Sequence, residues 1–63
     1  MIKEGSRWHS INSDTEFEVT FIGLAGPGEE NVIFYENILT KQNYSCWEGA
    51  FLERYKEIQN YGR

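Results

Sequence analysis

A period-two segment that ends in a Gly-Pro-Gly break sets the tightest limit on what this chain can fold into. From Phe17 to Leu24, the residues Phe17, Val19 and Phe21 alternate with Glu18, Thr20 and Ile22. That spacing gives a half-buried strand one apolar face and one wetter face. Ala25-Gly26-Pro27-Gly28-Glu29-Glu30-Asn31 follows. Pro27 has no N–H to donate and the glycines accept positive φ, so a loop of roughly five to seven residues is expected there. Val32–Ile38 then reads as a second strand, with Val32, Phe34 and Ile38 on one face and Ile33, Tyr35 and Leu39 on the other. Apolar residues on both faces mark a central strand covered on both sides.

The flanking segments are shorter. Ser6–Ile11 is expected to be a strand carrying Trp8, and Asn12-Ser13-Asp14 a turn, because short polar side chains bond their own backbone. A turn over Thr40–Gln42 leads to a strand at Asn43–Ser45. Ser45-Cys46-Trp47-Glu48 matches the S-x-x-E capping box that opens a helix. Trp47, Phe51, Tyr55 and Ile58 continue at helical spacing, so Cys46–Ile58 is expected to be helical, with Tyr55–Gln59 as an alternative fifth strand. Asn60–Arg63 reads as a frayed end. At 63 residues the chain holds one domain, residues 1–63, with a folded core over residues 5–58. The expected fold class is mainly β (β-rich α+β), a small antiparallel meander with one C-terminal helix, since short connections favour pairing of sequential strands. The expected core is Trp8, Phe17, Val19, Phe21, Val32, Phe34, Tyr44, Trp47, Phe51, Leu52 and Tyr55.

Charge is distributed unevenly. Between Trp8 and Thr40 stand six acids, Asp14, Glu16, Glu18, Glu29, Glu30 and Glu36, and no Lys or Arg. Each flank carries one excess positive charge, which gives the total of −4. Such a middle repels phosphate backbones, so nucleic acid is disfavoured; the acids either keep a small aromatic-rich sheet soluble or form a face that meets a basic protein partner. The six acids are the candidate binding residues. The same charge opposes self-association, so a monomer, or a weak homodimer strengthened by salt, is expected.

The inventory for chemistry is short. His9 is the sole histidine and Cys46 the sole thiol. A Cys–His pair suits nucleophilic catalysis, but Cys46 sits in a Ser-Cys-Trp context where a small apolar residue packs. No catalytic residue is assigned and an enzyme is not expected. The carboxylates lack calcium-loop spacing, and the Gly-rich loop lacks the Gly-Lys-Ser/Thr ending of a phosphate cradle. Neither a metal nor another cofactor is expected, and one cysteine cannot form an internal disulfide. Trp8, Tyr35 and Tyr44 form an alternative aromatic surface, on which bases would stack while Arg7 and Lys41 meet phosphates. That gives the alternative function of weak nucleic-acid binding. Apolar runs are too short for a membrane span and no signal peptide is visible, so the expected location is the cytoplasm.

The order Gly5-Ser6-Arg7-Trp8, Phe17-Glu18-Val19-Thr20, Val32-Ile33-Phe34-Tyr35, Tyr44-Ser45-Cys46-Trp47 and Phe51-Leu52-Glu53-Arg54-Tyr55 resembles small uncharacterised proteins of bacteriophages and prophages. The resemblance spans about Gly5 to Ile58 and implies an SH3-like, partly open β-barrel. It also implies an accessory protein in the cytoplasm of an infected bacterium, one that modulates a host protein by binding rather than by catalysis. It assigns no ligand or catalytic residue.

Overall fold

The computed structural model describes residues 2–58. They form one open, antiparallel five-stranded sheet and one short helix, so the fold is mainly β. The elements are β1 (Arg7–Ser10), β2 (Glu16–Ala25), β3 (Glu30–Asn37), β4 (Asn43–Trp47), α1 (Glu48–Arg54) and β5 (Tyr55–Glu57). The sheet order is β4-β3-β2-β1-β5. The first four strands are thus a meander, and α1 carries the chain from one sheet edge to the other, where β5 pairs with β1 (Ser10↔Tyr55, Trp8↔Glu57).

The β2–β3 hairpin dominates. Its strands pair to Ala25↔Glu30, which leaves a four-residue loop, Gly26 to Glu29, shorter than the expected one. So tight a loop is possible because Gly26 (φ 80°) and Glu29 (φ 52°) both take positive φ, and the Glu29 N–H donates to the Gly26 carbonyl at 3.1 Å. Midway along β2 the register shifts. Val19 faces Tyr35 but Phe21 faces Phe34, so β2 carries one extra residue, Thr20, whose hydroxyl donates to the Phe34 carbonyl at 3.2 Å. A bulge of this kind reverses which face the following side chains take.

That reversal corrects part of the expected core. Phe17 and Val19 are buried, but Phe21 turns outward and is 55% exposed, while Ile22 packs against the core in its place. On β3 the buried pair is Ile33 and Tyr35, so Val32 and Phe34 belong to the outer face. Trp47 and Tyr44 are exposed on β4, and Leu52 is 51% exposed on α1. The core consists of Ile2, Trp8, Phe17, Val19, Ile33, Tyr35 and Phe51, with Tyr55 packed against it. Ile2 lies upstream of the expected boundary at Gly5. The segment before β1 is held along β2 by Gly5 N–H to Val19 O (2.7 Å), Val19 N–H to Ser6 O (2.9 Å) and Ile22 N–H to the Glu4 carboxylate (3.0 Å). Buried Ser6 accepts the Trp8 indole N–H at 2.8 Å and donates to the Lys3 carbonyl, so burying Trp8 leaves no orphaned donor.

The capping box and the long helix are also corrected. Ser45 pairs with Phe34 inside β4, which runs to Trp47, two residues past the expected end. Trp47 occupies the N-cap position and makes no side-chain cap bond. Helical geometry ends at Tyr55, which is extended (φ −132°, ψ 153°). The chain is captured by β1 there: Ile11 N–H bonds Arg54 O at 3.0 Å and Ile58 N–H bonds Arg7 O at 2.9 Å. The alternative of a fifth strand from Tyr55 is therefore the observed one. The frayed end expected over residues 60–63 lies outside the described residues.

Candidate functional site

The tip of the β2–β3 hairpin and the start of α1 lie side by side because β4 delivers the chain there. Trp47, the last residue of β4, pairs with Val32, and its ring stands 3.5 Å from where a Cβ would project from Gly26. Glu48 opens the helix and accepts a hydrogen bond from Asn31 Nδ2 at 3.1 Å, tying the helix start to β3. Between them runs an open groove of about 650 Å³, lined by Glu29, Glu30, Asn31, Trp47, Glu48, Gly49, Ala50 and Glu53. Four glutamates thus line the groove beside a Trp ring that is 46% exposed. Like charges lining a groove with a low-dielectric wall focus potential and concentrate cations. The indole face adds attraction for an ammonium or guanidinium group. Among the described residues no group of three or more His, Cys, Asp or Glu is gathered closely enough to hold a metal ion. The carboxylates are instead dispersed along the groove.

The six acids expected as one binding face occupy three places. Glu29 and Glu30 line the groove. Glu18 and Glu36 are direct cross-strand partners in mid-sheet, with Arg7 next to Glu18 on β1. Asp14 and Glu16 stand by the β3–β4 turn, beside Asn37, Ile38, Leu39 and Thr40 around a smaller hollow of about 360 Å³. Glu48 and Glu53 complete the groove with Trp47, yet neither glutamate is a candidate binding residue by sequence. Glu48 and Glu53 fall outside the uninterrupted acidic span, and only the return of β4 along β3 brings them to Glu29 and Glu30.

The aromatic surface does not assemble. Trp8 and Tyr35 are core residues, 5% and 4% exposed, and so present no face to a base. Tyr44 is partly exposed, with its ring stacked on Tyr35 at 5.5 Å. The Tyr35 and Tyr55 hydroxyls meet at 3.0 Å. Burial first, and then this hydrogen bond, hold the Tyr35 phenol well above its ordinary range, so it stays protonated.

Cys46 and His9 lie on β4 and β1, with β3 and β2 between them. At ~4.8 Å per strand that is a separation of about 14 Å, too far for a nucleophile and its base. Burial pushes the Cys46 thiol up, outweighing the opposing pull of the Tyr35 hydroxyl and the Arg54 charge, so the thiolate is disfavoured. His9 Nδ1 lies 2.9 Å from the Ser10 carbonyl oxygen.

No helix among the described residues is long and apolar enough to cross a membrane. No family model, curated protein or solved structure matches the chain.

Proposed function

We propose that this chain is a small, acidic, non-enzymatic protein-binding module whose partner lays a basic segment in the groove between the β2–β3 hairpin tip and α1. The observation that carries this reading is a single groove lined by Glu29, Glu30, Glu48 and Glu53 beside the half-exposed Trp47 ring. Lysine or arginine side chains laid along the groove gain Coulombic attraction from the carboxylates spaced along it, and one of them can meet the Trp47 π face. The separation of Cys46 from His9 supports binding rather than catalysis. The burial of Trp8 and Tyr35 removes the stacking rings on which nucleic-acid binding was to rest. The resemblance to phage proteins extends the proposal to an accessory role in the bacterial cytoplasm, with a host protein as the partner.

The test is affinity capture from bacterial lysate with the native chain and with a Glu29→Gln, Glu30→Gln, Glu48→Gln, Glu53→Gln variant. The expected outcome is a specific, salt-sensitive basic partner retained by the native chain and lost by the variant. Equal retention by both proteins would refute the groove as the binding site.

A further inference from the structure

The bulge that turns Phe21 outward creates a second surface, on the sheet face opposite the core. Along β3 the outward-facing residues are Glu30, Val32, Phe34 and Glu36, an acid, two apolar side chains and an acid. The register places Phe21 and Ser45 on either side of Phe34, and Gly23 and Trp47 on either side of Val32. The Phe21 and Phe34 ring centroids are 5.7 Å apart, and the Phe21 ring reaches to 3.1 Å from where a Cβ of Gly23 would stand. Phe21, Phe34, Val32 and Trp47 therefore form a continuous apolar patch, in which the three aromatic rings remain exposed. A contiguous patch of this kind, rimmed by charge, marks an interaction surface.

Its rim is acidic at both ends. Glu18 and Glu36 are paired across β2 and β3 at one end, and Glu30 stands at the other. Arg7 stands opposite Glu18 on β1, so Glu36 is the carboxylate of this pair left to meet an incoming cation. A second copy of the chain is a poor occupant. A two-fold axis through the patch would bring Glu36 of one copy over Glu30 of the other, and four side chains fall short of the ~800 Å² per partner of a stable interface. From Glu30 to Glu36 is six residues of strand, about 20 Å at ~3.4 Å per residue.

We propose that this face docks an extended protein segment with Lys or Arg side chains six residues apart and two apolar side chains between them, all four on one side. The inference rests on the protein-binding reading above and adds to it the pattern of the partner. The cations meet Glu30 and Glu36, and the apolar side chains cover Val32 and Phe34 between the Phe21 and Trp47 rings. The segment continues past Glu30 towards the acidic groove.

The probe is a capped seven-residue peptide with arginine at its first and seventh positions, valine at its third, phenylalanine at its fifth and threonine elsewhere. Its binding is followed at low salt by NMR of backbone amides and aromatic rings. The ring signals of Phe21, Phe34 and Trp47 are expected to shift. A Phe21→Ser, Phe34→Ser variant is expected to bind about tenfold more weakly, and Glu36→Gln about threefold. A peptide with glutamate in place of arginine is expected not to bind. Both phenylalanines are exposed, so the double variant keeps its core, and Glu36→Gln reads the same site without altering an apolar residue.

If Phe21 and Phe34 do not shift and the double variant binds equally well, the outer-face inference is wrong. Should the peptide then still depend on Glu48 and Glu53, the groove reading survives alone. Loss of binding in the double variant with no effect of Glu48→Gln, Glu53→Gln would support the outer face as a site separate from the groove, which the lysine-peptide and capture experiments test on their own. A concentration-dependent dimer dissolved by Phe21→Ser would assign the face to a second copy and overturn the proposal.

Discussion

Replacing Phe51 by alanine tests how α1 holds the two sheet edges together. Phe51 is fully buried, and its ring centroid lies 5.0 Å from Trp8, 5.1 Å from Tyr35 and 4.8 Å from Tyr55. It is the one buried residue of the helix. Truncating a buried phenylalanine to alanine costs about 3–5 kcal/mol, through lost transfer energy and the cavity left behind. A domain of this length has a total stability of about 3–9 kcal/mol at ~0.05–0.15 kcal/mol per residue. Phe51→Ala is therefore expected to unfold the chain or to leave it barely folded. Phe51→Leu, which keeps most of the volume, is expected to cost about 1–2 kcal/mol and to stay measurable. Leu52, the next residue, is exposed, so Leu52→Ala is expected within about 0.5 kcal/mol of the native chain. Urea unfolding followed by tryptophan fluorescence and far-UV circular dichroism reads all three variants. Equal midpoints for Phe51→Ala and Leu52→Ala, or a lower one for Leu52→Ala, would mean that a different helix face packs on the sheet.

The hairpin glycines separate conformational strain from crowding. Gly26→Ala forces a side chain onto φ 80° and is expected to cost about 1 kcal/mol, whereas Gly28→Ala, with only the Glu30 side chain nearby at 3.8 Å, is expected to be neutral or slightly stabilising by the same denaturation assay. Because burial raises the Cys46 thiol, the unfolded chain ionises first. Stability is thus expected to be complete below the ordinary thiol value of 9.0 and to fall as pH rises above it, with Tyr35 extending the loss beyond 10.0. A midpoint that stays flat from pH 8 to pH 11 would refute this. Cys46 is likewise expected to alkylate more slowly than a free thiol at pH 8 and at the free rate in denaturant; equal rates in both would contradict its burial. Tyr55→Phe removes the partner of the buried Tyr35 hydroxyl and is expected to cost about 1 kcal/mol, while adding Tyr35→Phe is expected to recover part of that; a strictly additive double variant would contradict the pairing.

The strands themselves were legible in the sequence because alternation and turn chemistry are local. Phe17, Val19 and the Gly26-Pro27-Gly28 break fall where the sequence reading puts them. The reading goes astray at Thr20, where one extra residue reverses the phase, because a bulge depends on the partner strand and the segment before β1. Phe21 carries a core residue's chemistry on a solvent-facing position for that reason. Ser45-x-x-Glu48 fits a capping box by type and spacing, but pairing with Phe34 commits the Ser45 backbone to the sheet. Leu52 and Phe51 are equally apolar neighbours, and only the position of the sheet decides which one is buried. The groove was half legible: Glu29 and Glu30 were candidates, whereas Glu48 and Glu53 arrive from a segment whose net charge is positive. Counting charge along the chain cannot see a site assembled across it.

The groove is tested most directly by heteronuclear NMR during titration with a short capped lysine peptide at low and at physiological salt. The expected shifts concentrate on Glu29, Glu30 and Asn31, on Trp47 to Ala50 and on Glu53, and they weaken strongly as salt is raised. Shifts spread evenly over all the acidic residues, with Asp14 and Glu16 moving as much as Glu48 and Glu53, would contradict a built site and leave only a diffuse negative surface.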